Sequence, residues 1–158
     1  MTFAPGPIAS GRLRPLAEGE ALTLTTVFAE LEPYRTLGFG PAGLAGYLGR
    51  DDPALIRFVI ETNGLDGVIA LRWPWLRGPF VEMLSLVPAA QGQGLGRAVI
   101  AWAAEQAATV SANLWATVSD FNAPARAFYA RQGFVEVAAL PGLIDPDRAE
   151  ILLRRRLS

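Results

Sequence analysis

The chain has 158 residues, of which 51% are hydrophobic, and a formal net charge of −1. This length and composition predict one compact domain with its own core, and the near-zero charge gives no electrostatic footprint for nucleic acid. The sequence contains no Cys, His or Lys, which excludes disulfides, cysteine metal clusters, Ser-His-Asp and Cys-His hydrolases, and lysine Schiff bases.

The N-terminal third is predicted to hold one strand and two helices. Residues 8–16 have the pattern of a first strand, and residues 18–31 have the apolar spacing of an amphipathic helix. Pro33 and the glycine-rich stretch 38–43 end that helix, and a short helix is predicted at residues 42–48. The stretch between the two helices is expected to be irregular or mobile.

Three strands are predicted next, at residues 55–62, 67–75 and 80–87, and they would form an antiparallel meander. Asn63-Gly64 between the first two is a strong hairpin signal. Strict alternation along the third strand would put Phe80, Glu82, Leu84 and Leu86 on one face.

A glycine-rich turn follows the third strand and leads into an amphipathic helix. The turn runs through Gln91, Gly92, Gln93, Gly94, Leu95, Gly96 and Arg97. Unpaired backbone N–H groups and the positive end of the helix dipole meet there, and glycine allows a ligand to approach closely. The turn therefore predicts a pyrophosphate site, with a ligand-free structural turn as the alternative.

The remainder predicts a strand, a helix and two further strands. The strand covers residues 113–118, and the helix has Asn122 as its cap, Pro124 in its first turn and Gly133 just past its end. Strands at residues 134–140 and 150–156 complete a mixed α/β order. We find no linker or repeat, and residues 1–158 are expected to form a single domain.

Two commoner phosphate motifs do not fit the turn. The dinucleotide fingerprint requires a glycine where the chain has Arg97. A Walker loop requires a lysine, and the chain has none.

Two blocks together resemble the GNAT superfamily of N-acyltransferases. The pattern Gln91-x-x-Gly94-x-Gly96 is similar to the acyl-CoA pyrophosphate loop of that family. Residues 122–134, with an Asn, an aromatic-Tyr pair and a closing Gly-Phe, are similar to its second CoA-binding helix. The resemblance covers roughly residues 80–137, and the N-terminal part is matched only in the order of its elements.

The resemblance implies a fold and an activity. The fold would be a mixed α/β domain, with a mostly antiparallel central sheet splayed in the middle and helices on both faces. The protein would be an enzyme that transfers an acetyl group from acetyl-CoA to a primary amine of a small molecule or peptide, by direct attack in a ternary complex. Independently of the resemblance, the sequence shows no apolar span of 18 residues and no charged-then-apolar leader, which predicts a cytoplasmic location. The alternative from another class is a non-catalytic acyl-CoA-binding sensor or regulatory module. No metal, nucleic acid or membrane is expected as a partner, and an exposed strand edge favours a homodimer.

The resemblance also implies roles for individual residues. Tyr129 matches the tyrosine that donates a proton to the departing CoA thiolate. Contacts with acyl-CoA are implied for Leu84, Leu86, Val87, Gln91, Gly92, Gln93, Gly94, Leu95, Gly96, Arg97, Asn122, Phe128 and Tyr129. Asn122 is equally explained as a helix cap, and Arg97 as a solvent-exposed arginine.

Two further assignments come from chemistry rather than from the motif. Glu82, as a carboxylate on a largely apolar strand face, is predicted to be the base that accepts the amine proton, with an ion pair to Arg72 or Arg77 as the structural alternative. Trp73 and Trp75 are predicted to line an aromatic acceptor pocket or a dimer seam, with plain core packing as the alternative.

Overall fold

The computed structural model describes residues 3–158, which form one eight-stranded sheet with helices on both faces. The strands are β1 (Gly6–Ile8), β2 (Gly11–Arg14), β3 (Leu55–Glu61), β4 (Leu65–Trp75), β5 (Gly78–Leu86), β6 (Asn113–Ser119), β7 (Val135–Pro141) and β8 (Ala149–Arg156). The α-helices in this part of the chain are α1 (Glu20–Phe28), α2 (Tyr34–Leu37), α3 (Pro41–Gly49), α4 (Leu95–Ala108) and α5 (Ala123–Arg131), with a short 3-10 helix at Pro88–Ala90.

The sheet is splayed at its centre, as predicted. Its strand order is β1-β2-β3-β4-β5-β6-β8-β7, and every neighbouring pair is antiparallel except β5 and β6. These two parallel strands pair only at Phe80 with Trp115 and at Val81 with Ala116. Beyond those residues the C-terminal halves of β5 and β6 diverge and leave a gap in the sheet.

Two hydrophobic cores hold the helices against opposite faces of the sheet. One core joins Val99 and Ile100 of α4 and Tyr129 of α5 to inward residues of the central strands such as Ile69. The other joins α1 and α3 to the opposite face, where Phe28 is fully buried. Alternate residues of the central strands therefore face different cores, so these strands are apolar on both sides.

Strand β5 contains a bulge that the sequence pattern did not predict. Ala70 of β4 pairs with Met83, whereas the next residue, Leu71, pairs with Val81, so Glu82 is an extra residue without a partner on β4. The bulge reverses the alternation, and Leu84 packs on the α4 side while Glu82 contacts Tyr47 of α3. The prediction that Glu82 shares a face with Leu84 and Leu86 is therefore wrong.

The N-terminal segment is a hairpin rather than the single strand predicted at residues 8–16. Ile8 pairs with Gly11, and Ser10 between the strands has a positive φ of 74°. The predicted hairpin at Asn63-Gly64 and the predicted strands on either side of it are confirmed, with bounds that shift by one or two residues. No helix within residues 3–158 is long and apolar enough to cross a membrane.

Candidate functional site

The gap between β5 and β6 opens into two cavities. We call the first, of about 470 Å³, the glutamate cavity, because the charged side chains in its lining are Glu32, Glu82 and Glu150. We call the second, of about 1090 Å³, the arginine cavity, because the charged side chains in its lining are Arg97, Arg131 and Arg155. Both cavities are lined by Leu84, Leu86, Gln91, Ala125 and Tyr129, so they meet at the gap.

The predicted phosphate turn forms one wall of the arginine cavity. Gly92 and Gly94 have positive φ values of 74° and 80°, and α4 begins directly after Gly94. In the described residues the amide N–H groups of Gly92, Gln93 and Gly94 have no protein acceptor. Together with the first amides of α4 they form a cradle of free donors at the positive end of a long helix. This cradle fits the pyrophosphate of a CoA ester.

The arginine cavity is completed by α5, which lies close to α4 at Gly96. A Cβ at Gly96 would lie 3.2 Å from ring atoms of Phe128, so glycine lets the two helices approach. Asn122 caps α5, and its Oδ1 accepts a hydrogen bond of 3.4 Å from the amide of Ala125. The cap assignment of Asn122 is thus observed, and its side chain also lines the glutamate cavity.

The implied acyl-CoA residues do not all reach the cavities. Val87 and Gln93 are absent from both linings, and the Gln93 amide Nε2 instead donates to the carbonyl of Ala89 at 2.8 Å. The Gln91 side chain donates to the Leu86 carbonyl at 3.1 Å, which ties the turn to the end of β5. The other implied residues, with the exception of Asn122, line the arginine cavity.

Tyr129 lies where the two cavities meet. Its side chain is 8% exposed, and its hydroxyl makes no hydrogen bond to the protein within residues 3–158. Burial raises the pKa of the Tyr129 phenol above its ordinary value, and the nearby Tyr34 raises it further. The phenol is therefore a neutral donor at physiological pH with its proton free for a ligand.

Glu82 is held by three hydrogen bonds. The guanidinium of Arg72 binds it with Nε–Oε1 and Nη2–Oε2 distances of 3.2 and 3.0 Å, and the Tyr47 hydroxyl donates to Oε2 at 3.0 Å. Arg72 also binds Asp52 at 3.1 Å. The ion pair with Arg72, the alternative considered from the sequence, is thus present in the structure.

Glu150 is a site residue that the sequence did not reveal. It is the second residue of β8, paired with Ser119 of β6, is 6% exposed, and lines the glutamate cavity. Ser119 Oγ donates to Glu150 Oε2 at 2.7 Å, whereas Oε1 has no hydrogen-bond partner in the described chain. Burial raises the pKa of Glu150 above its ordinary value. The only sequence signal was a carboxylate directly before the short apolar run Ile151–Leu153.

Segment 32–40, predicted to be irregular, lies along the glutamate cavity and includes α2. The hydroxyl of Tyr34 in α2 is hydrogen-bonded to Ser85 Oγ of β5 at 2.9 Å, which joins the segment to the edge of the gap. Apolar side chains from α1, α2, α3 and the connecting segment form the rest of this wall: Phe28, Leu31, Leu37, Phe39 and Leu44.

Trp73 and Trp75 lie apart from both cavities. Trp75 stacks on Phe80 with a centroid distance of 4.7 Å and meets Trp115 edge-on at 5.7 Å. Trp73 packs against the core on the α4 side. The geometry therefore gives no support to the predicted acceptor pocket at these residues.

The chain offers no candidate metal centre in the part that the structure describes. No group of three or more carboxylate side chains is placed to hold an ion there. The acidic side chains around the gap are instead used in ion pairs or face the glutamate cavity singly.

A splayed sheet, a donor cradle at a helix start and a neutral buried phenol at the gap define an acyl-CoA-dependent acyltransferase. Residues 22–134 match the family model described as the acetyltransferase (GNAT) family. The chain belongs to this family, whose members use acetyl-CoA, and is an acyltransferase enzyme. A comparison with curated protein sequences gives no match.

Solved structures give the same fold. A nourseothricin acetyltransferase is 28% identical over 68% of either chain, with a TM-score of 0.62. An acetyltransferase from Thermus thermophilus is 23% identical, covers 94% of this chain and 97% of its own, and has a TM-score of 0.74. A Bacillus anthracis protein assigned as a streptothricin acetyltransferase, solved with acetyl coenzyme A, is 20% identical over 68% of this chain and 65% of its own, with a TM-score of 0.61.

Proposed function

We propose that the enzyme transfers an acetyl group from acetyl-CoA to a primary amine by direct attack in a ternary complex. The observation that carries the proposal is the meeting of two oppositely charged cavities at Tyr129. An anionic CoA ester suits the arginine cavity, and a cationic amine suits the glutamate cavity. Both substrates can then be present at once, as direct attack requires.

On the donor side, the cradle at Gly92 to Gly94 holds the pyrophosphate, with Arg97 beside it. The acyl-pantetheine arm lies along Leu84 and Leu86, where β5 is free of β6. A backbone amide near Leu86 polarises the thioester carbonyl and stabilises the negative charge that develops on its oxygen.

The reaction forms one bond and breaks another. The amine nitrogen attacks the carbonyl carbon of the thioester, a C–N bond forms, and the C–S bond breaks. Tyr129 gives its proton to the departing sulfur, and general acid assistance of this kind contributes about 10²–10⁴-fold to the rate. The nitrogen loses a proton before attack, for which the sequence predicts Glu82 as acceptor.

The proposal extends to the whole molecule. The glutamate cavity takes residues from α1 to β8, which supports one catalytic unit built from these elements. The proposal includes a cytoplasmic location for this unit. Val135 and Val137 on the edge strand β7 are 68% and 53% exposed, which supports a homodimer paired through this edge. Light scattering of the pure protein would give twice the mass of the chain.

The Tyr129→Phe variant tests the proposal against a CoA-binding module without turnover. We expect kcat for CoA release in the presence of a primary amine to fall by about 10²–10⁴-fold. The rise in Tm caused by acetyl-CoA should be unchanged, because the cradle remains intact.

Tyr47→Phe is the contrasting variant, because it removes a tyrosine hydroxyl of the glutamate cavity that is already bound to Glu82. Its loss of kcat should be much smaller. Equal activity of wild type and Tyr129→Phe would remove the proton-donor role. No Tm shift with acetyl-CoA in the wild type would remove the donor site itself.

A further inference from the structure

Glu150 is the carboxylate of the glutamate cavity that has no cationic partner. Glu82 is paired with Arg72, and Glu32 is bound by Arg35 at 3.1 Å. In the described chain the only hydrogen bond to the Glu150 side chain comes from the neutral Ser119. A buried carboxylate without a counter-ion is costly, and a bound cation would relieve that cost.

The free oxygen of Glu150 faces the cavity. Oε2 accepts the Ser119 hydrogen bond, and no fully buried side-chain oxygen among residues 3–158 lacks a partner. Since Oε1 has no partner, it is not sealed inside the protein and opens to the cavity that Glu150 lines. A cation entering the glutamate cavity can therefore reach this oxygen directly.

The topology brings Glu150 close to the reacting end of the gap. Glu150 pairs with Ser119, the last residue of β6, and β6 diverges from β5 just before that point. Asn122 and Tyr129 of the following helix line the same cavity. The carboxylate thus belongs to the wall that faces the thioester position on β5.

We propose, resting on the acetyl transfer above, that Glu150 receives the ammonium group of a primary alkyl- or arylalkyl-ammonium acceptor and takes its proton, in place of Glu82. The apolar wall of the cavity holds the carbon chain or ring of the acceptor. Glu82, engaged by Arg72 and Tyr47, has no free oxygen in a comparable position.

The proton balance is complete with these groups. The ammonium transfers one proton to Glu150, and the resulting amine attacks the carbonyl carbon. When the C–S bond breaks, Tyr129 protonates the sulfur. The nitrogen loses its second proton as the amide forms. That proton replaces the one given up by Tyr129, through solvent. Glu150 then releases its proton to solvent, so that the products are the neutral amide, CoA and one proton.

The surroundings of Glu150 raise its affinity for a proton above that of an exposed carboxylate. Burial raises its pKa, the Ser119 hydrogen bond lowers it, and the like charge of Asp120 raises it. Strand β7 places the uncharged Leu140 opposite it. The other titratable side chains that line the cavity are Glu32, Tyr34, Tyr47, Glu82 and Tyr129.

The pH profile of the Glu150→Gln variant tests the assignment. With 2-phenylethylamine as the probe, wild-type kcat/KM should rise with pH as Glu150 loses its proton and then level off. In Glu150→Gln, kcat/KM at neutral pH should fall by about 10²–10⁴-fold. It should also keep rising towards the pKa of the free amine, about 10, because only amine that is already neutral can react.

Three further variants complete the comparison. Glu82→Gln should keep the wild-type profile, and Glu105→Gln, which alters an exposed carboxylate on α4, should keep both profile and rate. The acid limb is the part of the profile in which kcat/KM rises with pH. If Glu82→Gln loses the wild-type acid limb and Glu150→Gln keeps it, the inference is wrong. Glu150→Asp should restore the limb in part, since it retains a carboxylate.

A binding measurement separates this inference from the acetyl transfer on which it rests. The side-chain carboxyl carbon of Glu150 can be assigned by NMR from its loss in Glu150→Gln, and titrated in protein saturated with CoA. Adding 2-phenylethylammonium should lower its pKa. If CoA binds but the probe leaves the Glu150 resonance unchanged, the inference is wrong while the acetyl transfer stands; if acetyl-CoA itself fails to bind, both fail.

Discussion

Ser119 influences the site through a single hydrogen bond. Its hydroxyl donates to the carboxyl group of Glu150, and it is 1% exposed, so water cannot readily replace it. A hydrogen bond to the charged form of an acid favours that form. Ser119 is therefore a positioning residue that keeps Glu150 available as a base.

The Ser119→Ala variant should move the acid limb of the kcat/KM profile to higher pH. Removing the donor leaves burial and the charge of Asp120, which both raise the pKa of Glu150, without the opposing effect. Activity should then fall most at low pH and recover on the alkaline plateau. A uniform loss at all pH values would show that Ser119 acts only through packing.

The residues of the site differ in how visible they are in the sequence. Gly94 and Tyr129 belong to local sequence motifs that can be recognised without knowledge of the fold, so their positions beside a cavity were predictable. Glu150 reaches the gap only because β8 inserts between β6 and β7, a pairing between segments 31 residues apart at Ser119 and Glu150. Single-sequence patterns contain no information on such non-local pairing.

At the scale of elements, Arg14 joins β2 to β3 and to the start of α1. It binds both carboxylate oxygens of Glu20 at 2.7 Å and Glu61 Oε2 at 2.9 Å. The Arg14 hydrogen bonds, and next the amide of Ala17, lower the pKa of Glu20 to about 2. This bidentate pair fixes the helix that covers one side of the glutamate cavity.

The Glu20→Gln variant should lower the free energy of unfolding by about 1 kcal/mol at neutral pH. Because the folded pKa of Glu20 lies below its unfolded value, its contribution is complete above the unfolded pKa and is lost as the pH falls towards about 2. Urea unfolding at several pH values should show the difference from wild type vanish in acid.

Glu18→Gln is the control for this measurement. Glu18 is an exposed neighbour that makes no ion pair in the described chain. Its substitution should leave the free energy of unfolding nearly constant over the same pH range. A Glu20→Gln difference that persists in acid would show that Arg14 contributes through packing rather than through this pair.

Element boundaries were predictable where the sequence supplies marked ends. Asn122, Pro124 and Gly133 delimit α5, and Asn63-Gly64 marks the hairpin, because each residue type favours one backbone geometry. The bulge at Glu82 was not predictable, since it depends on how β5 pairs with β4 rather than on local preference. The resulting change of face altered the surroundings of the predicted base.

At the scale of the molecule, the charged side chains that line the two cavities have opposite sign. Raising the salt concentration from about 0.1 M to about 1 M shortens the Debye length from about 10 Å to about 3 Å. We expect KM to rise for both acetyl-CoA and 2-phenylethylamine, with little change in kcat, because salt weakens substrate capture rather than chemistry. Steady-state kinetics over this range would measure both effects.

Two arginine variants separate the cavities in this experiment. Arg155→Gln should weaken the salt dependence of KM for acetyl-CoA while leaving that for the amine unchanged. Arg77→Gln, at an exposed arginine in the β4–β5 turn, should leave both unchanged. Identical salt dependence in all three proteins would show that the arginine cavity does not attract the CoA ester by charge.

The acidic lining of the glutamate cavity also bears on how the product leaves. Acetylation converts an ammonium into an uncharged amide, so the attraction that draws the acceptor towards Glu150 ends when the new bond forms. The product is then held only by its apolar part, and it is a weaker ligand than the amine from which it came. The reaction itself thus favours dissociation of the product, and inhibition by the amide product should be slight even late in the reaction.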